Sequence, residues 1–204
     1  MWRLSRLSQR LMGAYIPPVP SEQAIYLTFD DGPSSSTAPL LDILGLYGFR
    51  ATFFWLWSRY SEKTVSYVLP LLQQHGHRVA LHGMRHYSAW RSFPASGELL
   101  RAFILWKKTG VPLIPAFRPP YGHWLPFSAP APLQLVLWDI MPPDYIGKGG
   151  WESQLLRQLR PGWVVVLHER TQNIPAWRRF FSRMFYEGWR AVPLPLAPLE
   201  SPAA

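Results

Sequence analysis

The 204-residue chain contains no cysteine. That removes disulfides, thiolate metal sites and cysteine nucleophiles from consideration, and it leaves the redox compartment unreadable. Acidic residues are scarce as well: 12 Asp+Glu against 21 Lys+Arg give a formal net charge of +9 and a pI near 10.2. Such a surplus favours anionic surroundings (a membrane surface, nucleic acid or an acidic polymer) without choosing among them. No apolar run reaches the roughly 20 residues that a membrane-spanning helix needs. The opening stretch MWRLSRLSQRLMGAYI also lacks the unbroken apolar segment of a secretory signal, because Arg3, Arg6 and Arg10 punctuate it. No internal repeat is present.

What the chain does have is apolar residues, 48% of the total, enough for a large core. Its length fits a single domain. Short apolar runs at Ala24–Phe29, Ala51–Trp57, His77–Leu81, Ile114–Phe117, Gln134–Trp138, Val164–Leu167 and Ala191–Leu194 read as strands. Helical patterns lie between them, at 36–48, Glu62–His75, Gly97–Lys108, Gly150–Leu159 and Ala176–Gly188. In the first of these, Leu40, Leu41, Leu44 and Tyr47 recur at helical spacing and Gly48 is placed to end the helix. Repeated β-then-α order predicts an α/β domain with parallel strands and helices outside. Three parts are expected: a basic amphipathic segment over 1–23, the domain over 24–196 and a Pro-rich mobile tail over 197–204. In the first part Leu4, Leu7, Leu11 and Tyr15 share one helical face. It reads either as a helix lying on a membrane or as a short helix capping the underside of the domain. Residues 118–132 carry too many prolines for a helix and read as a loop.

Chemistry-bearing residues fall repeatedly just after the apolar runs. Asp30 and Asp31 follow the first, His82 and His86 the third, Arg118 and Tyr121 the fourth, and His168 the sixth; Asp144 follows the fifth at more distance. In a barrel of parallel strands those ends meet at one face. Two histidines four residues apart suit one divalent ion, and a carboxylate from the Asp30-Asp31 pair would complete two nitrogens and one oxygen. A cation there would also remove the mutual repulsion of the adjacent carboxylates. The second aspartate is then free to act as a base, with Arg118 as its counter-ion, aimed by the rigid Pro119-Pro120 that follows. His168, with Asp144 to favour its charged form, reads as a general acid.

In this order, TFDDG, HGMRH, RPPYG, WDIMPPDY and VVLHE resemble the five motifs of the NodB-homology polysaccharide deacetylases, carbohydrate esterase family 4, over about residues 24–194. The resemblance implies a single-domain, distorted (β/α) barrel. It also implies metal-dependent removal of acetyl groups from N-acetylglucosamine-type saccharides. It makes Asp30 the general base, Asp31, His82 and His86 the metal ligands, Arg118 the tether of the base, and Asp144 the partner of the acid His168. Tyr121 would give its backbone N–H to the oxyanion, and Val166 would line the slot for the acetyl methyl. The implied cofactor is one divalent ion, zinc by default, with cobalt or nickel fitting the same donors.

Four positions depart from the pattern: Gly83 for Ser or Thr, Met141 for an additional Asp, Tyr145 for Trp and Glu169 for Asp. An active enzyme with an altered groove is expected, in which Trp90, Trp124, Tyr145 or Trp151 would stack on sugar rings. The expected partner is an acetylated amino-sugar oligomer or polymer. Nucleic acid is not expected, peripheral membrane contact runs through the N-terminal segment, and the chain is taken as a monomer. Without an export signal the expected place is the cytoplasm or the inner membrane face. Two other readings stand: an amidohydrolase or O-acetyl esterase for a small non-polysaccharide substrate, and a non-enzymatic basic protein, against which the complete residue set counts.

Overall fold

Strand β2 (Ala24–Gly32) is buried along its whole length, as expected for a central strand with both faces covered. It pairs in parallel with β3 (Thr52–Leu56), β8 (Val164–His168) and β9 (Arg190–Val192). The computed structural model describes residues 1–88, 95–124, 129–147 and 149–199. Within them the sheet runs β1-β7-β8-β2-β3-β4-β5-β6, with β4 at Arg78–Gly83, β5 at Leu113–Phe117, β6 at Gln134–Leu135 and β7 at Ile140–Met141. Every pairing is parallel except that of β1 (Trp2–Arg3) with β7. The sheet curls into a barrel around a small inner cluster that includes Tyr26, Phe54, Ala80, Ala116, Val136 and Val164. A larger apolar layer lies outside it, where the sheet meets the helices α2 (Thr37–Leu46), α3 (Glu62–Gln74), α4 (Ala95–Lys107), α5 (Glu152–Leu156) and α6 (Ile174–Tyr186).

All seven expected strands form, and the differences have local causes. Only Gln134–Leu135 of the fifth run is strand, because the Arg118 side chain takes the carbonyls of Val136 and Leu137 that a longer ladder would use. Helix α6 starts two residues early, since Pro175 is tolerated in a first turn. Helix α5 stops at Leu156, and the chain continues in tight turns through Gln158 and Leu159. The strands β1 and β7 were not expected; each has two residues, too few for a periodic signal.

The N-terminal segment bridges the two edges of the sheet. Trp2 sits opposite Met141 in the β1–β7 pair, while the Tyr15 amide donates to the Leu135 carbonyl of β6 at 2.7 Å. Its helix α1 (Arg6–Leu11) is capped by the Ser5 hydroxyl and turns its polar side to the protein. Arg6 and Gln9 both donate to the Asp139 carboxylate at 3.3 Å, whereas Leu7 and Leu11 are exposed. Buried Asp139 also accepts the Val164 amide, so it fixes the start of β8. At the other end, the Leu199 amide donates to the Leu113 carbonyl.

Glycine is required at the end of β2. A Cβ on Gly32 would stand 1.8 Å from Glu169 Oε1 and 2.4 Å from Trp55 Nε1. These atoms cannot swing away, because they bond to each other at 2.7 Å and Glu169 also holds the Thr37 hydroxyl. Gly32→Ala is therefore expected to destabilise the fold by about 1–3 kcal/mol. Calorimetry should show a fall of about 2–4 °C in Tm for each kcal/mol.

Candidate active site

Strand alternation places the site. On β2 the inward series is Tyr26, Thr28, Asp30; on β4 it is Ala80, His82; on β8 it is Val164, Val166, His168, and each ends in a polar residue at the same rim. The residue after Asp30 would ordinarily face away. Instead the β2–β3 register shifts between Asp30 and Gly32, and Asp31 has φ 74°, so both carboxylates line one cavity. Aspartate is among the few side chains that adopt this left-handed conformation readily. The cavity measures about 630 Å³, inside the range of small-molecule pockets. His82, His86, Tyr121, Tyr145 and His168 also line it.

Arg118 is a fully buried ion of the site. Its Nη1 donates to Asp30 Oδ1 at 2.7 Å and to Thr28 Oγ1 at 3.0 Å, while Nε donates to the Val136 carbonyl and Nη2 to that of Leu137. The guanidinium lies over the Phe54 ring at 4.1 Å. Arg118 has a second contact: its backbone carbonyl lies 2.7 Å from His82 Nδ1. A carbonyl only accepts, so the neutral imidazole carries its hydrogen on Nδ1 and presents the Nε2 lone pair to the cavity.

His82 Nε2 is 3.5 Å and His86 Nε2 3.2 Å from Asp31 Oδ1. That oxygen is buried and has no hydrogen-bond partner among the described residues. One ligand atom from each of the three residues lies within 4.8 Å of the others. Burial raises the Asp31 carboxyl, but His82, His168 and His86 in their protonated forms outweigh it and hold the group well below the usual carboxylate range. A bound cation would take over that role once His82 and His86 offer it their lone pairs. Burial lowers the His86 imidazole despite Asp31 beside it, which favours a free lone pair. Two imidazole nitrogens and an orphaned carboxylate oxygen are a donor set that fits one divalent ion.

Opposite them His168 Nδ1 bonds Asp144 Oδ1 at 2.8 Å. Asp144 Oδ2 accepts the His168 amide at 2.7 Å and the Asn173 side chain at 3.3 Å. Burial opposes a charged His168, but the Asp144 carboxylate more than offsets it and raises the imidazole above its ordinary value. The Tyr145 ring packs edge-on against His168, with 5.6 Å between centroids. Tyr121 has φ 61° and packs its ring on His86 at 4.7 Å.

Not every expected contact is made. Val166 is fully buried, level with Thr28, two residues below the rim, and is not among the residues that line the cavity. Trp124 and Trp151 pack on Phe117 and Phe180 in the interior, so neither offers a face to a sugar. Trp90 lies outside the described residues. Gly83, where a hydroxyl residue was expected, has φ 113°, a conformation that suits glycine alone.

Two contributors were missed. Arg170 Nη2 donates to Asp31 Oδ2 at 2.6 Å, so only Oδ1 is left to face the imidazoles. Its signal was in the sequence, two residues past His168 on the same alternation. Trp2 lines the cavity too, and nothing local in the sequence pointed there.

The chain matches the family model for polysaccharide deacetylase over residues 18–128. It is 34% identical over 161 residues to a chitooligosaccharide deacetylase of Bradyrhizobium sp. (strain ANU 289), covering 74% of this chain and 73% of that one. It is 30% identical over 193 residues to a peptidoglycan-N-acetylglucosamine deacetylase of Bacillus cereus, covering 84% and 86%. Among solved structures, a family 4 acetyl xylan esterase from Clostridium thermocellum, in complex with a cobalt ion, superposes with a TM-score of 0.73 at 22% identity over 84% of this chain and 88% of that one. The chain belongs to the NodB-homology polysaccharide deacetylases, carbohydrate esterase family 4.

Glu169, where aspartate was expected, is fully enclosed behind the site. Burial pushes its carboxyl up to about 7, against the opposing pull of the Thr37 and Trp55 donors. The native state therefore holds this proton more tightly than the unfolded chain does, and its contribution to stability falls as pH rises from about 4.5 to about 7. Glu169→Gln should flatten the stability profile across that window, as read by denaturant unfolding at a series of pH values.

Proposed function

We propose that this chain is a metal-dependent hydrolase that removes acetyl groups from N-acetylglucosamine-type oligomers or polymers. One observation carries the reading: the unsatisfied Asp31 Oδ1 between two histidine nitrogens, in the cavity that also holds Asp30 and His168. Asp31, His82 and His86 would hold the ion, with zinc expected and cobalt or nickel suited to the same donors. A bound ion supplies Lewis-acid polarisation of the acetyl carbonyl and makes water acidic enough to lose a proton near neutrality.

The remaining steps fall to the protein. Arg118 occupies Asp30 Oδ1, so Oδ2 is the oxygen that takes the proton from the attacking water. The water oxygen bonds to the acetyl carbon, and the Tyr121 backbone N–H donates to the oxyanion that forms. His168 is held by Asp144 through Nδ1, so its proton leaves from Nε2. It passes to the departing amine nitrogen as the carbon–nitrogen bond breaks, and acetate and the free amino sugar result. The relatives that act on chitooligosaccharides and peptidoglycan support an amino-sugar substrate.

The protein should bind about one zinc ion per chain and release acetate from N-acetylglucosamine oligomers. Asp31→Ala or His86→Ala should weaken zinc binding by at least about tenfold in a competition titration. Asp30→Asn should keep zinc and lose about 10²–10⁴-fold in kcat. A panel that includes acetylated xylan and small acetate esters tests the competing esterase reading. If those turn over and the amino-sugar oligomers do not, the substrate assignment is wrong.

The pH profile checks the acid. Asp144 raises His168, so the protonated form is lost only as pH climbs through that elevated value. Asp144→Asn removes the supporting charge and should move the alkaline limb of kcat to lower pH. An unmoved limb would take Asp144 and His168 out of the acid step.

A further inference from the structure

We propose that Trp2 and Tyr145 form a second sugar-binding subsite, next to the one that holds the reacting acetamido sugar. Trp2 reaches the cavity because β1 adds to the edge of the sheet and sets it opposite Met141, which lines the cavity as well. Trp2 is 61% exposed, yet it is not loose: its backbone lies in the β1–β7 ladder, and its Nε1 donates to the Tyr145 hydroxyl at 3.3 Å. An ordered aromatic face open to solvent at the rim of the cavity is the surface that the apolar face of a pyranose ring covers well.

The direction of the chemistry says which ring it would be. This inference rests on the proposed deacetylation, in which His168 protonates the nitrogen that carries the sugar. The saccharide must therefore leave the reacting centre on the His168 side. That is where the aromatic row runs, with Tyr145 against His168 and Trp2 bonded to Tyr145. A chain of linked sugars that starts at the ion site meets Tyr145 first and Trp2 next. Met141 keeps this stretch of the rim apolar. The ligand class is a β-linked N-acetylglucosamine oligomer of at least two units, and Trp2 makes the enzyme prefer it to the monomer.

Two readouts test the subsite. In zinc-loaded enzyme, Trp2→Ala should lower the ratio of kcat/KM for the trimer to that for N-acetylglucosamine about tenfold, chiefly through the trimer KM, and Trp2→Phe should restore part of it. In the zinc-loaded Asp30→Asn protein, calorimetry should show trimer binding weakened by a similar factor when Trp2→Ala is added. An unchanged trimer-to-monomer ratio together with unchanged binding overturns the subsite. If the parent releases no acetate but binds the trimer in a Trp2-dependent way, the subsite stands and the deacetylase reading falls. If it neither binds nor turns over the trimer, both fall.

Discussion

A single buried guanidinium organises this active site. Arg118 has no exposed surface, and a charge in that position is tolerated only because every face of it is answered. Asp30 and Thr28 take Nη1, the carbonyls of Val136 and Leu137 take Nε and Nη2, and Phe54 lies beneath the plane. Lysine could not substitute, since it has no planar fork to hold β2 and the chain beyond β6 at once. The Arg118 carbonyl completes the arrangement by holding His82 Nδ1. One residue thus orients the proposed base and selects the tautomer of a proposed metal ligand.

Around that pivot the barrel turns strand register into chemistry. Inward positions two residues apart are apolar low in the barrel and polar at the rim, which is how Asp30, His82 and His168 come to share a cavity. Asp31 joins them only through the register shift and its left-handed backbone. The enclosed Glu169 braces the turn from behind through Trp55 and Thr37, and Gly32 leaves it room to do so. The N-terminal segment then spans the open seam and contributes an aromatic ring to the cavity wall.

Much of this was legible in the sequence. The central strands are short, largely apolar runs, and most of their ends are marked by charged residues or histidines, so both the strands and the rim could be read from composition along the chain. Interactions that depend on partners far apart in sequence could not. The leucine stripe of the first sixteen residues suggested an apolar inner face, but buried Asp139 needs donors, so Arg6 and Gln9 face inward and two of the leucines face out. Strands β1 and β7 are too short for periodicity, and with them the position of Trp2 was hidden. Trp124 and Trp151 were expected to face the groove, yet their rings pack in the interior beside Phe117 and Phe180.

The most direct measurement is the anomalous scattering of zinc-soaked crystals. Because the Arg118 carbonyl occupies His82 Nδ1, the ion should appear once, bonded to Nε2 of His82, Nε2 of His86 and Oδ1 of Asp31 at about 2.0–2.2 Å. The contact between Arg118 and His82 should be intact beside it. An ion bound through His82 Nδ1, or one lodged elsewhere with these three side chains unengaged, would contradict the arrangement on which the proposed chemistry depends.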